Sequence, residues 1–257
     1  KSHQEWISKF HDAIKVETEK LITPELFPSE GEITMGEVIQ LINELTNGEA
    51  VMVTDVGQHQ MITCRYSHQN KTRSNITSGG LGTMGFALPA AIGAKYGAPE
   101  RTVIAVMGDG GAQMNIQELQ TIIHNKLPIK IFVLNNNGYL SIKNTQNNFF
   151  NGYKVGSEFS SGVSFPNLNK ISMAYGFKYF KLDNQKSLEN DLKNVLDYQD
   201  ALICEIILDE NEKMEPKLSS EIKPNGKIIS KPLEDMFPFL EREEFKRNMI
   251  IKIIEED

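Results

Sequence analysis

Val103-Ile104-Ala105-Val106-Met107-Gly108-Asp109-Gly110-Gly111 passes from an unbroken apolar run straight into a glycine-flanked aspartate. A continuous apolar run of this length is the pattern of a strand buried on both faces, as in a parallel sheet covered by helices. A helix is predicted from about Met114, so the glycines lie at a strand-to-helix turn. Backbone N–H groups in such a turn, together with the start of a helix, favour an anion. Asp109 would repel a phosphate placed there directly. Its presence makes sense when a divalent cation lies between the two, and magnesium is held in this way by one or two carboxylates plus phosphate oxygens.

The neighbouring runs carry loops of the same kind. Downstream, the apolar run 129–134 ends in Asn135-Asn136-Asn137-Gly138, a second source of oxygen ligands. A helix between the two runs returns the chain to an adjacent parallel strand, so both loops reach one ion. Upstream, the run 50–54 ends in Asp55-Val56-Gly57-Gln58-His59. Taken singly, Asp109 reads as an N-cap and the asparagines as a turn that tolerates left-handed backbone. Their joint occurrence after successive strands favours a metal site at Asp109 and Asn136. Further strands are predicted at 102–107, 179–182 and 202–208, and helices at 83–96, 114–125, 168–175 and 187–198. Thr34-x-x-Glu37 is a capping box opening a helix with Val38, Leu41, Ile42 and Leu45 inward, closed near Gly48. The alternation predicts an α/β fold, a parallel sheet flanked by helices on both faces, with ligands outside the carboxyl ends of the strands.

Trp6, Phe10, Ala13 and Ile14 share a helical stripe, and Pro24, Pro28 and Gly31 read as a linker, so residues 1–32 look like the end of a preceding domain. Residues 33–208 form the predicted domain. From 209 to 257 the chain turns charged and carries Pro216, Pro224, Gly226 and Pro232, the pattern of an extended C-terminal tail. Apolar residues make up 40%, enough for a core, and the net charge of −7 speaks against a nucleic-acid or membrane partner. No apolar run is long enough to span a bilayer, and the first residues lack the core of a signal peptide. Cys64 and Cys204 fit no metal motif and read as free thiols, so a soluble cytoplasmic protein is expected.

Gly108-Asp109-Gly110 followed by Asn135-Asn136 resembles the diphosphate-and-metal motif of thiamine-diphosphate enzymes. Val53-Thr54-Asp55-Val56-Gly57-Gln58-His59-Gln60-Met61 and Thr77-Ser78-Gly79-Gly80-Leu81-Gly82-Thr83-Met84-Gly85 resemble the large, catalytic subunit of acetolactate synthases. So do Met114-Asn115-Ile116-Gln117-Glu118-Leu119 and Lys231-Pro232-Leu233-Glu234-Asp235-Met236. The resemblance covers roughly residues 34–240 and implies thiamine diphosphate and Mg2+ as cofactors. It implies that Asp109, the Asn136 side chain and the Gly138 carbonyl ligate the metal. Gly110 and Gly111 would donate backbone N–H groups to the diphosphate, with Gly108 and Tyr139 beside them and Gln58 and His59 at its far end. Gly82 would meet the aminopyrimidine through its backbone, and Met84 would prop the bent cofactor, a wedge that suits a polarizable, unbranched side chain. Without these neighbours Met84 would read as core packing at a helix start, and His59 as a loop histidine bonded to backbone.

The implied reaction decarboxylates a 2-keto acid such as pyruvate and ligates the retained fragment to a second carbonyl, as in branched-chain amino acid biosynthesis. In this family the activating glutamate belongs to a separate N-terminal domain, and FAD, where present, to a central domain. No segment here resembles either, apart from a last helix near Trp6. No catalytic residue is therefore assigned, and the chain is expected to be the inactive C-terminal part of a longer, homo-oligomeric enzyme. Typical acetolactate synthases carry a tryptophan near the position of Asn144, whereas this stretch reads Gly138-Tyr139-Leu140-Ser141-Ile142-Lys143-Asn144-Thr145-Gln146. That departure leaves a related 2-keto acid decarboxylase, or a carboligase with a sugar-linked acceptor, as alternatives beside a non-catalytic cofactor-binding module. Intact Asp109 and Asn136 argue against the last. Gly80-x-Gly82-x-x-Gly85 also satisfies a dinucleotide-binding fingerprint, but the segment before it, 71–78, is polar and loop-like, which argues against nicotinamide binding.

Overall fold

The computed structural model describes residues 31–67 and 74–249, with Gln4, Ile7, Ser8, Lys15 and Leu26 as isolated positions before them. The helical stripe expected at Trp6, Phe10, Ala13 and Ile14 lies outside the described residues. Two compact units result, one spanning Thr23–Glu212 and one that includes the described residues from Lys213 on.

The first unit is built on six strands: β1 (Val51–Thr54), β2 (Asn75–Thr77), β3 (Val103–Gly108), β4 (Ile129–Asn135), β5 (Lys178–Leu182) and β6 (Leu202–Ile207). They pair in parallel in the order β2-β1-β3-β4-β6-β5. The helices are α1 (Met35–Leu45), α2 (Gln58–Tyr66), α3 (Ala87–Gly97), α4 (Glu118–His124), α5 (Leu140–Phe149), α6 (Leu168–Tyr175) and α7 (Leu188–Asp197). Val53, Ala105, Ile131 and Val133 face one core, which Leu88 and Ala91 of α3, Leu119 and Ile122 of α4 and Leu168 of α6 complete. Met52, Ile104, Phe132 and Leu134 are buried on the opposite face, which α1, α2 and α7 cover. The expected α/β fold with helices on both faces is borne out. Each such side chain contributes roughly 1.5–3 kcal/mol by leaving water, which is why the central strands read as unbroken apolar runs. Lys130 interrupts β4, and its ammonium reaches past the sheet to the carbonyls of Tyr198 and Asp200, the latter at 3.1 Å.

Order and register decide where a ligand can sit. From β1 the chain steps to one side to form β2, then crosses back to form β3 on the other side of β1. The crevice between the ends of β1 and β3 is the switch point at which open α/β sheets bind ligands. Thr54 is level with Val106, and Gly108 with Leu134, so Asp55, Asp109 and Asn136 emerge along one edge.

Several elements depart from the sequence expectation. The Gln58-His59 segment, read as a loop, opens α2, and α5 was not anticipated because Ser, Asn, Gln and Lys dominate it. The segment 71–78, read as loop-like, contains the edge strand β2, which is short and polar because it pairs on one side only. A strand does therefore precede the Gly80–Gly85 turn, and the strandless segment is no longer an objection to dinucleotide binding. Helix α3 begins at Ala87 rather than at 83, because Gly85 adopts φ +85° and breaks the helical path. Helix α4 begins at Glu118, preceded by tighter i→i+3 turns such as Met114 N–H to the Gly111 carbonyl at 3.1 Å. Thr34 caps α1 as expected, its hydroxyl accepting from the Glu37 N–H at 3.2 Å, and both cysteines are free.

The second unit corrects the expectation of an extended tail. Strands β7 (Ser220–Ile222) and β8 (Ile228–Ser230) form an antiparallel hairpin around Pro224-Asn225-Gly226, and α8 (Arg242–Asn248) follows. The buried Asp235 carboxylate takes a two-pronged bond from Arg242 at 2.8 and 3.0 Å. No helix among the described residues is long and apolar enough to cross a membrane.

Candidate functional site

At the carboxyl edge of the sheet lies a cavity of about 80 Å³. The first turn of α2 contributes Gln58 and His59, and the end of β3 with the turn after it contributes Gly108, Asp109, Gly110 and Gly111. The loop after β4 contributes Asn136, Gly138 and Tyr139, and Met84 enters from the turn before α3. Ten of the eleven residues singled out from the sequence thus share one cavity. Gly82 does not line it, although a side chain there would touch Val56, which does, at 3.8 Å.

Asp109 is the electrostatic centre. It is buried, its Oδ1 accepts from the Gly110 N–H at 2.8 Å and its Oδ2 from the Gly138 N–H at 2.9 Å. Desolvation nonetheless pushes its pKa up to about 6, against the pull of those amides and of the Lys143 ammonium. A buried carboxylate in this state lacks a sufficient counter-charge, which a cation would supply. Asn136 is also buried, and its side chain finds no hydrogen-bond partner among the described residues. No three His, Cys, Asp or Glu gather among the described residues. The available donors are one carboxylate, an amide oxygen and backbone carbonyls, a set that suits a hard cation such as magnesium rather than zinc.

The glycine turn is shaped for a bulky neighbour. A Cβ on Gly110 would lie 2.1 Å from Cε1 of Tyr139, and one on Gly111 would lie 2.0 Å from Oδ2 of Asp55. Only glycine lets the turn sit this low against Tyr139 and Asp55. The Tyr139 ring is held edge-on by Phe165, with centroids 5.6 Å apart.

His59 is buried, and its Nε2 has no partner among the described residues. Burial lowers its pKa to about 4 despite a bond to the Asp55 carbonyl, so the ring is neutral at pH 7. Gln58 lines the cavity but gives its amide to the Glu212 carbonyl at 3.2 Å. Met35, at the start of α1, also lines the cavity, a residue to which the sequence pattern assigns no part in the site. Asp55 is fully buried behind the glycine turn. Its sequence spacing assigns it no role, because nothing in that spacing shows that the chain folds back onto it. In the divergent stretch, Leu140, Ser141 and Ile142 line the cavity. Asn144 does not, and Gln146 instead bonds the Val155 carbonyl and the Ser157 hydroxyl at 2.8 and 2.7 Å.

A neutral imidazole and a buried asparagine side chain that lack partners among the described residues stand with an under-compensated carboxylate beside a glycine turn. This donor set fits a diphosphate bound through a divalent ion. Comparison with known proteins points the same way. Residues 55–206 match the family described as thiamine pyrophosphate enzyme, C-terminal TPP binding domain. The chain is 40% identical over 221 residues to the acetolactate synthase large subunit of Lactococcus lactis, covering 85% of this chain and 38% of that protein. It is 37% identical over 186 residues to chloroplastic acetolactate synthase 2 of Nicotiana tabacum, covering 71% of this chain and 28% of that protein. With the acetolactate synthase isozyme 3 large subunit of Escherichia coli the identity is 41% over 160 residues, 62% of this chain and 27% of that protein. The matched stretch thus spans between 27% and 38% of the length of these relatives. With a matched segment that begins at Asp55 and runs through the whole glycine and asparagine edge, the chain belongs to the thiamine pyrophosphate enzymes, as the C-terminal TPP-binding domain of an acetolactate synthase-like protein.

Proposed function

We propose that the cavity binds thiamine diphosphate through Mg2+, in a longer enzyme that decarboxylates a 2-keto acid such as pyruvate and joins the retained fragment to a second carbonyl. The observation that carries this reading is Asp109, a buried carboxylate at about pKa 6, with the buried Asn136 side chain unpartnered among the described residues and a glycine turn beside them. Asp109, Asn136 and the Gly138 carbonyl hold the ion. Gly110 and Gly111 donate N–H groups to the diphosphate, with Gly108 and Tyr139 beside them, and Gln58 and His59 close its far end. Gly82 meets the pyrimidine through its backbone, and Met84 props the cofactor from the turn before α3. When bound, thiamine diphosphate supplies the carbanion chemistry, while these residues orient it and exclude water. The activating carboxylate comes from another domain, so this chain alone does not turn over pyruvate. Exposed apolar side chains support such partner surfaces, Leu81, Tyr153 and Phe159 being 93%, 76% and 77% accessible. A second copy of the enzyme completes the assembly in a soluble, cytoplasmic homo-oligomer. Leu140, Ser141 and Ile142 in the divergent stretch favour keeping open a different second carbonyl, such as a sugar-linked acceptor, as the alternative product route.

Calorimetric titration of this chain with thiamine diphosphate tests the reading. Binding is expected to be weak and magnesium-dependent, because half of the cofactor stays solvated without its partner domain. Equal affinity with and without magnesium would sink the metal assignment. The pH dependence has a definite sign. A proton and the ion compete for Asp109, so the gain in affinity from magnesium is full above pH 7 and shrinks as pH falls through 6. Between pH 7.5 and pH 5 it should drop about tenfold, the amount a site at pKa 6 imposes. A flat profile over that range would remove Asp109 from the ion's ligands.

A further inference from the structure

The turn Met84-Gly85-Phe86 is pinned from two sides by residues to which neither the family match nor the proposed cofactor contacts give a role. Helix α3 has no cap of its own, since Phe86 at its N-cap position offers no side-chain acceptor. Asp55, at the end of β1, supplies one from across the fold. Its Oδ1 accepts the Phe86 N–H at 2.9 Å, and the amides of Gly85, Val56 and Ala87 also stabilise its charge. From the turn after β3, Asn115 donates its side-chain amide to the Gly85 carbonyl at 2.7 Å. Gly85 is pressed onto the same segment, where a Cβ would meet Cβ of Met114 at 2.8 Å and Nδ2 of Asn115 at 2.9 Å.

We propose that Asp55 and Asn115 are positioning residues, a two-sided clamp that fixes the Met84 turn relative to the glycine cradle and so sets where the cofactor's ring end can lie. The inference rests on the cofactor reading above. It separates the two ends of the site: the cradle holds the diphosphate without the clamp, whereas a seated Met84 needs both bonds. A loose turn leaves Met84 to sample other positions, and ordering it on binding lowers affinity.

The test uses this chain, with amide exchange at Phe86 and Ala87 and titrations with thiamine diphosphate and with inorganic pyrophosphate, both with magnesium. Asp55→Ala should speed Phe86 exchange at least about tenfold and weaken thiamine diphosphate about tenfold, leaving pyrophosphate affinity unchanged. Asp55→Asn, which keeps an acceptor for the Phe86 N–H, should restore most of both. Asn115→Ala should selectively weaken thiamine diphosphate without vacating a buried site, so the outcome does not hang on one variant folding. Unchanged Phe86 exchange in Asp55→Ala, or equal losses for thiamine diphosphate and pyrophosphate, would overturn the clamp. A wild-type chain that bound neither ligand would remove the cofactor reading, and the exchange measurement would still decide whether Asp55 anchors the turn.

Discussion

Asp109→Ala is expected to abolish the affinity that magnesium adds to thiamine diphosphate binding, a loss of at least about a hundredfold at saturating magnesium. The remaining donors, an asparagine amide and backbone carbonyls, are neutral. A small, strongly hydrated dication exchanges water for them only with a carboxylate in the set. The buried Asp109 meets that need, because desolvation already raises its pKa to about 6 and a cation relieves that cost. The same substitution should not lower the weak magnesium-free binding, since the Gly110 and Gly111 amides stay in place and a charge that repels phosphate is gone. Titration of the variant with and without the ion separates the two effects. Undiminished binding with magnesium would show that the ion, if bound, sits elsewhere. Asn136→Ala removes a neutral ligand and should cost less than Asp109→Ala under the same conditions.

The readable part of the site was the part where chemistry and backbone coincide in a few consecutive residues. Gly108-Asp109-Gly110-Gly111 and Asn135-Asn136 stand out because an N-cap or a turn explains either loop alone but not both after successive strands, and those strands read as largely apolar runs. Helix α6 was read to its residue limits because Asn167 caps it and Gly176 ends it in the left-handed region. Elements lacking such signals were lost. Strand β2 is a polar edge, α5 carries few apolar residues, and the hairpin in the second unit has strands of three residues each. The roles of Asp55 and Asn115 were hidden for a different reason. Each acts on a turn about thirty residues away in the chain, 31 for the Asp55–Phe86 bond and 30 for Asn115–Gly85, and spacing carries no record of it. Gln146 shows the converse. It stood out as a departure in a substrate-facing stretch, yet its side chain holds the loop at Val155 and Ser157.

Gly111→Ala should be the most damaging single methyl that can be added to this site. Its φ is not in the left-handed region, so backbone strain is not the cause. The new Cβ would lie 2.0 Å from Oδ2 and 3.2 Å from Cγ of Asp55. Asp55 has nowhere to go, because it is fully buried and bound to the Phe86 N–H at the start of α3. Either the carboxylate swings and leaves that helix start uncapped, or the glycine turn rises into the cavity. Overpacking of this kind costs about 1–3 kcal/mol, and the lost cap adds to it. For a unit of this size the melting midpoint should fall by about 5–10 °C. Thiamine diphosphate binding should be lost as well, since both escapes move the amides that meet the diphosphate. Gly110→Ala is the control. Its Cβ would strike the Tyr139 ring at 2.1 Å, but that ring is only partly buried and can swing outward. That variant should lose binding with a much smaller change in melting. Equal melting midpoints for Gly111→Ala and the unsubstituted chain would mean that Asp55 is free to move, and would count against its part in the clamp as well.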